Sequence, residues 1–273
     1  MYCKQSITNT KKCDREEYRD GYCIIHYDNK NKPSNLFRKI IRDDIYRGMY
    51  NFSHIISYDG FSFEGLKIED WVDINFTNSF FAGPFQIRNI DLKSSLDFTN
   101  SKFDSGFFIT LSNIHKDIIL KNSNISLDFN MSLSNFFNLD FDNIKIESDA
   151  NFSNSEILSK LSFNHIHFKR NLSFLNVVFR DDSIFQNIVV EGDVDFRNVY
   201  FFKKLQFENV EFKGKTIPED FIYNKKIDFK NVLINGELIK NSNSIKIDED
   251  RKKKIKEAKD KLYNDAIYKF NKK

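Results

Sequence analysis

No stretch of this sequence approaches the roughly 18 consecutive apolar residues that a membrane-spanning helix needs. Its start, M-Y-C-K-Q-S-I-T-N-T-K-K, is polar and has no apolar stretch of signal-peptide length. The chain is therefore expected in the cytoplasm, where cysteines stay reduced or bind metal. Glycine and proline are few, 9 and 3 in 273 residues, beside 30 Phe, 11 Tyr and 1 Trp. That balance excludes wholesale disorder despite a mean hydropathy of -0.52, because so much aromatic surface demands a core. Charge of one sign is also lacking: the net of +3 is too small to imply a nucleic-acid partner by itself. There is no G-x-S-x-G, P-loop, H-E-x-x-H or glycine-rich dinucleotide turn. No enzymatic activity is expected, and no residue is assigned a catalytic role.

What is present is a repeat. Residues 194–201 read V-D-F-R-N-V-Y-F, and eleven positions later residues 205–212 read L-Q-F-E-N-V-E-F. Stepping by eleven from Phe196 finds Phe185, Phe174, Phe163, Phe152 and Phe141 behind it and Phe207, Pro218 and Phe229 ahead. After a one-residue slip come Met131, Leu120, Ile109, Phe98, Ile87 and Phe76. The residue five beyond each centre is always apolar, from Phe81 to Ile234, and Asn stands two beyond the centre in 11 of the 15 units. Weaker units centre on Phe52, Phe63 and Lys240.

An eleven-residue apolar period also suits a right-handed helical coiled coil. Alanine argues against it, occurring only at Ala82 and Ala150 between residues 61 and 234, where Phe, Ile, Val, Asn and Ser dominate. Those are strand and turn formers, and apolar residues two apart, such as Val194 and Phe196, share one strand face. Asn tolerates left-handed backbone angles and bonds its own backbone, so it marks where the chain turns.

L-D-F-T-N-S-K-F (96–103), V-D-F-R-N-V-Y-F and L-Q-F-E-N-V-E-F resemble pentapeptide-repeat proteins of the Phe-rich kind, over roughly residues 50–245. The resemblance implies an all-β solenoid, a right-handed quadrilateral β-helix with 22 residues to each coil. Eight to nine coils at roughly 4.8 Å would make a rod on the order of 40 Å long. Residues 22 apart then stack: Phe163, Phe185, Phe207 and Phe229 in one column, Phe152, Phe174 and Phe196 in another. The position two before each centre departs from the family by being large, as at Leu161, Leu172 and Leu205.

Open coil ends expose strand edges, so caps are expected. Residues 31–49 supply one, a helix with Leu36, Ile40, Ile41 and Ile45 on one side. Residues 246–273 supply another, with Ile255, Ala258, Leu262, Ala266 and Phe270 at helical spacing. The lysine-rich second helix could instead dimerise or lie on a membrane surface.

Residues 1–30 stand apart, holding all three cysteines at Cys3-x9-Cys13-x9-Cys23-x2-His26. Three thiols and an imidazole suit tetrahedral zinc, and the short last step lets Cys23 and His26 reach one ion from a single turn. The alternative is three thiols unrelated to metal. The segment resembles small Cys3His zinc modules, including the plant WRC type, and G-Y-C-I-I-H resembles a leader ahead of some bacterial pentapeptide repeats. A structural Zn2+ bound by Cys3, Cys13, Cys23 and His26 is the expected cofactor, with Lys11, Lys12 and Arg15 free for any recognition. His165 and His167 read as surface decoration, and acids such as Asp181 and Asp182 as a solvated face.

The expected function is a non-enzymatic scaffold for protein–protein interaction, with a homodimer through an end cap or the C-terminal helix as a possibility. A DNA mimic or nucleic-acid-binding protein is the alternative. Residues 55–216 carry 16 basic and 22 acidic residues, a net of -6, whereas residues 1–54 and 217–273 net +4 and +5. A duplex carries one charge per about 1.7 Å, so a mimic of such a rod would want far more uncompensated acid.

Overall fold

The computed structural model describes residues 1–7, 12–63, 68, 72–217, 222–223 and 227–239. The unit at Pro218, the weak unit at Lys240, Lys11 and the expected helix over 246–273 lie outside the described residues.

Within the repeat, side-chain alternation resets at each turn residue. In Leu205–Phe212, Leu205 and Phe207 point inward, then Asn209 takes φ +53° and Val210 and Phe212 point inward again. Without that left-handed residue the period of two would carry the second apolar pair to the outside. The same conformation recurs at Asn78, Asn89, Asn100, Asn122, Asn143, Asn154, Asn176, Asn187, Asn198 and Asn231, and at the substitutes Leu111, Leu133 and His165.

Each turn of chain hydrogen-bonds in parallel to the next. Leu161–Phe168, Ser183–Val190, Leu205–Phe212 and Ile227–Ile234 pair through Phe163, Phe185, Phe207 and Phe229, a step of 22 residues each time. Strands fall into an 18-stranded sheet and an 8-stranded sheet. The fold is an all-β parallel solenoid, whose register climbs in eight steps from Ser57 through Phe81, Phe103, Ile125, Ile146, Phe168, Val190 and Phe212 to Ile234, about 38 Å at strand spacing.

Two turns depart from 22. The first takes 24 residues, pairing Ile56 with Phe80 and Phe61 with Phe85. The one-residue slip sits beside a β-bulge: Ile114 pairs with Phe136 but Asp117 with Asn138, so His115 and Lys116 face the single residue Phe137.

Phenylalanines fill the interior as stacked columns. Phe141 and Phe163 stack at 5.0 Å, Phe185 and Phe207 at 5.0 Å, and Phe207 and Phe229 at 5.6 Å. The expected column is broken once, where Phe163 meets Phe185 edge to face at 79°. In the other half the rings change position. Phe61, Phe85, Phe107 and Phe129 stack two residues before the centre, and Phe152, Phe174 and Phe196 stack at the centre. Ala150 follows Phe129 in the same register, so the small side chain makes room for Phe152. The large residues two before the centre are thus volume traded between neighbouring inward positions.

Buried serines add a polar thread. Ser101 Oγ donates to the Phe76 carbonyl at 2.8 Å and accepts from the Ser79 amide at 3.1 Å, and Ser123 does the same one turn on. Ser134 and Ser155 repeat it in the second half-turn.

The helix α1 (Ser34–Tyr46), the single helix among the described residues, buries Phe37, Ile41, Asp44 and Ile45. Its apolar face is therefore rotated from the expected one, with Leu36 and Ile40 at the margin of the core. Gly48 at φ +72° closes it: the Gly48 amide reaches the Ile45 carbonyl and the Met49 amide the Asp44 carbonyl.

Candidate metal centre

The N-terminal segment folds through few bonds of its own. Tyr2 bridges Glu16 and Ser6 bridges Lys12 in antiparallel fashion, and the Cys3 amide donates to Arg15 while the Cys13 amide donates to Gln5. This sets Cys3 and Cys13 on adjoining stretches. Arg19-Asp20-Gly21-Tyr22 then reverses the chain, with Asp20 at φ +54° and Gly21 at φ +85°. Two consecutive left-handed residues make the turn that Asp-Gly favours. One helical turn follows, with the Tyr27 amide on the Cys23 carbonyl at 2.9 Å, and it carries His26 back beside Cys23.

All four residues singled out by spacing meet. The sulfurs of Cys3, Cys13 and Cys23 and a ring nitrogen of His26 lie within 4.8 Å of one another, all buried. Cys3 Sγ and Cys23 Sγ each stand 3.4 Å from His26 Nδ1, and Cys13 Sγ stands 3.9 Å from Cys23 Sγ. A tetrahedral zinc with bonds of about 2.3 Å to sulfur and about 2.0 Å to nitrogen has edges of about 3.8 and 3.5 Å. The sulfur separation is far longer than the roughly 2 Å of a disulfide, and the three thiols are free. The group could hold one metal ion.

The solenoid orients the imidazole. His26 Nε2–H donates to the Ser53 carbonyl at 2.9 Å, and Nδ1, the lone-pair nitrogen of the neutral ring in that tautomer, faces the thiols. A second bond of this kind fixes the tautomer of a metal-binding histidine.

Proton sharing marks the thiols. The hydrogen bond from the Cys23 thiol holds Cys13 down to about 3, helped by His26. The same contact, together with burial, pushes Cys23 up. Arg15 Nη1 stands 3.9 Å from Cys13 Sγ.

Arg15 is not free. Its Nε donates to Asp44 Oδ2 at 2.7 Å and its Nη2 to the Asn51 carbonyl at 3.0 Å, with both partners of the ion pair buried. Burial works to lower the guanidinium, but the hydrogen bond and charge of Asp44 leave it raised. Asp44 itself is pushed up by burial and drawn back by Arg15. The pair rotates α1 so that Asp44 faces inward, and it removes Arg15 from the residues available for recognition. Lys12 stays exposed.

Sequence reading passed over Lys32. Its ammonium is buried and donates to the carbonyls of Ile24 at 3.0 Å, Tyr27 at 3.2 Å and Ile56, while lying 4.6 Å from the Phe37 ring centre. Burial lowers it to about 8, against the attraction of Cys23, Asp28 and Asp59. Its partners are backbone oxygens, so no residue pattern signals the role.

His165 and His167 sit elsewhere, each on a carboxylate of a neighbouring turn, Asp142 at 3.2 Å and Glu191 at 2.9 Å. Among the described residues no helix is long and apolar enough to cross a membrane. Comparison of the chain with protein-family models, with curated proteins and with solved structures finds no match.

Proposed function

We propose that the chain is a non-enzymatic binding scaffold: a rigid, four-sided β-helix of the pentapeptide-repeat type with a structural zinc module, Cys3, Cys13, Cys23 and His26, at its N-terminal end. Zinc bound there would supply a tetrahedral crosslink and no reaction. Four inward segments per turn, such as Phe196, Phe201, Phe207 and Phe212, support the four-sided reading. α1 and the segment over 246–273 serve as caps in this account.

The observation that carries the scaffold reading is the registered outer surface. Asn100 donates to Asn78, Asn122 to Asn100 and Asn143 to Asn122, at 2.8 to 3.1 Å. Asn209 donates to Asn187 and Asn231 to Asn209, at 3.0 and 2.9 Å. Side chains held in such columns present a surface with little conformational entropy left to lose on binding.

The same register speaks against a DNA mimic. Lys203 pairs with Asp181 at 2.8 Å, Lys213 with Glu191 at 3.0 Å, Lys230 with Glu208 and Arg180 with Glu156, each across neighbouring turns. Acids neutralised turn by turn do not form an anionic stripe.

Affinity capture from the native cell with and without nuclease tests the reading, followed by titration of the purified captured protein. Saturable protein binding that survives nuclease supports a scaffold. Capture abolished by nuclease supports the nucleic-acid alternative.

A further inference from the structure

The first turn of the solenoid has an upper edge, and the metal segment covers it group by group. The Ile56 amide donates to the Ile25 carbonyl at 2.9 Å, and the Ile56 carbonyl accepts from Lys32. The Ser53 carbonyl accepts from His26 and the Asn51 carbonyl from Arg15. Ile25 and His26 belong to the single helical turn that begins at Cys23, and Arg15 lies two residues from Cys13. Three of these four bonds come from His26, a proposed metal ligand, or from Ile25 and Arg15 in the short segment the metal would hold in shape; the fourth comes from Lys32, whose ammonium also holds the Ile24 and Tyr27 carbonyls of that segment. Beneath them lies the buried Phe52, with the Arg15 guanidinium 5.7 Å above its ring centre, while Phe61 lines a groove with Phe37 and Ile41 of α1.

We propose that this edge is a self-association surface controlled by the metal: when the ion leaves, the cap opens and two copies of the chain join head to head through their first turns. The proposal rests on the metal reading above.

The geometry at Ile56 selects a second copy as the occupant. Both its N–H and its C=O point toward the cap, which is the arrangement of a residue in a hydrogen-bonded pair of an antiparallel ladder. A two-fold axis perpendicular to the solenoid brings the same edge of two copies together in antiparallel sense, so the two Ile56 residues can exchange both bonds. An isologous contact of this kind is closed and stops at a dimer. It would also cover Phe52, over which Arg15 of the metal segment lies and which an open cap would leave to water.

The test uses the full chain in three states: zinc-loaded, treated with chelator, and reloaded with zinc. Metal content, sedimentation and far-ultraviolet dichroism are measured on each. A photo-cross-linking side chain is placed in separate preparations at Ser62, on the edge strand Phe61–Ser62, or at Lys213 near the other end. The proposal expects a zinc-loaded monomer and a chelated dimer with its strand signal retained. It expects cross-links between copies at Ser62 but not at Lys213, and return to monomer on reloading.

A chelated protein that has lost its zinc yet stays monomeric would overturn the proposal and leave the metal reading standing. So would cross-links at Lys213, which would mark head-to-tail pairing, and so would loss of the strand signal. A purified chain that holds no zinc and takes none up would overturn the metal reading, and the proposal with it.

Discussion

His26 Nε2 lies 2.9 Å from the carbonyl oxygen of Ser53, so the one histidine of the metal group is aimed by the first turn of the solenoid. The centre and the repeat are therefore coupled through a bond that belongs to neither alone. Its consequence is directional: the solenoid has its own core of stacked phenylalanines, whereas the N-terminal segment has few apolar residues and, on the proposed reading, depends on the metal.

Cys13→Ser should accordingly release the metal and leave the strand dichroism intact. Acid should do the same by protonating the thiolates and the imidazole, so that metal occupancy falls as pH falls. Metal analysis alongside dichroism over a pH series checks both. A collapse of strand signal in step with metal loss would show that the two parts do not fold separately.

Lys32 supplies a second pH effect, which also favours the folded chain as pH rises. Its ordinary value of 10.5 is lowered to about 8 in the folded chain, with burial the main cause. Between these values the unfolded chain binds more protons than the folded one, so stability rises with pH across that window. The shift amounts to roughly 3 kcal/mol. Relative to Lys32→Met, the native chain should gain about that much between pH 8 and 10.5, read from urea midpoints. A flat difference would mean that the three carbonyls keep the ammonium charged.

Phe163 has no exposed surface and stacks on Phe141 at 5.0 Å. Phe163→Ala should lose roughly 3–5 kcal/mol, from lost burial and a cavity the neighbouring rings cannot fill. Phe196→Ala should behave alike. Chemical denaturation checks each.

Leu111 and Leu133 occupy the turn position with φ of +54° and +57°, and about half of each side chain is exposed. A left-handed residue with a Cβ is strained by about 1–2 kcal/mol, and Asn relieves part of that by local hydrogen bonding. Leu111→Asn and Leu133→Asn should each stabilise by about 1 kcal/mol, the more so together, since they would join Asn89 to Asn154 in one ladder. Asn176→Ala should destabilise by about 1–2 kcal/mol through strain and two lost ladder bonds, and Asn176→Gly by less, because glycine removes only the bonds. Equal effects of Ala and Gly would assign the role of Asn176 to its ladder alone.

Much of this was legible in the sequence because the repeated positions carry their physics in side-chain type. Asn209 must turn left-handed and Phe207 must be buried, and each residue type says so. The Cys3, Cys13, Cys23 and His26 set was legible for the same reason, since thiols and imidazole have few other reasons to cluster. The bulge at His115 and Lys116 was visible only as a slip between Phe141 and Met131, because counting cannot tell which side of a turn loses a residue. The exchange of volume between Phe129 and Phe152 by way of Ala150 needs the register to be known. The inward turn of Asp44 follows from Arg15, 29 residues away, and Lys32 acts through carbonyl oxygens that every residue possesses. None of these leaves a local signature.

X-ray absorption at the zinc edge, on full-length protein purified without chelator, tests the central claim most directly. The account predicts one zinc per chain with three sulfur ligands at about 2.3 Å and one nitrogen at about 2.0 Å. Protein without zinc whose three thiols all react in the native state, or zinc with a shell poorer in sulfur, would contradict it.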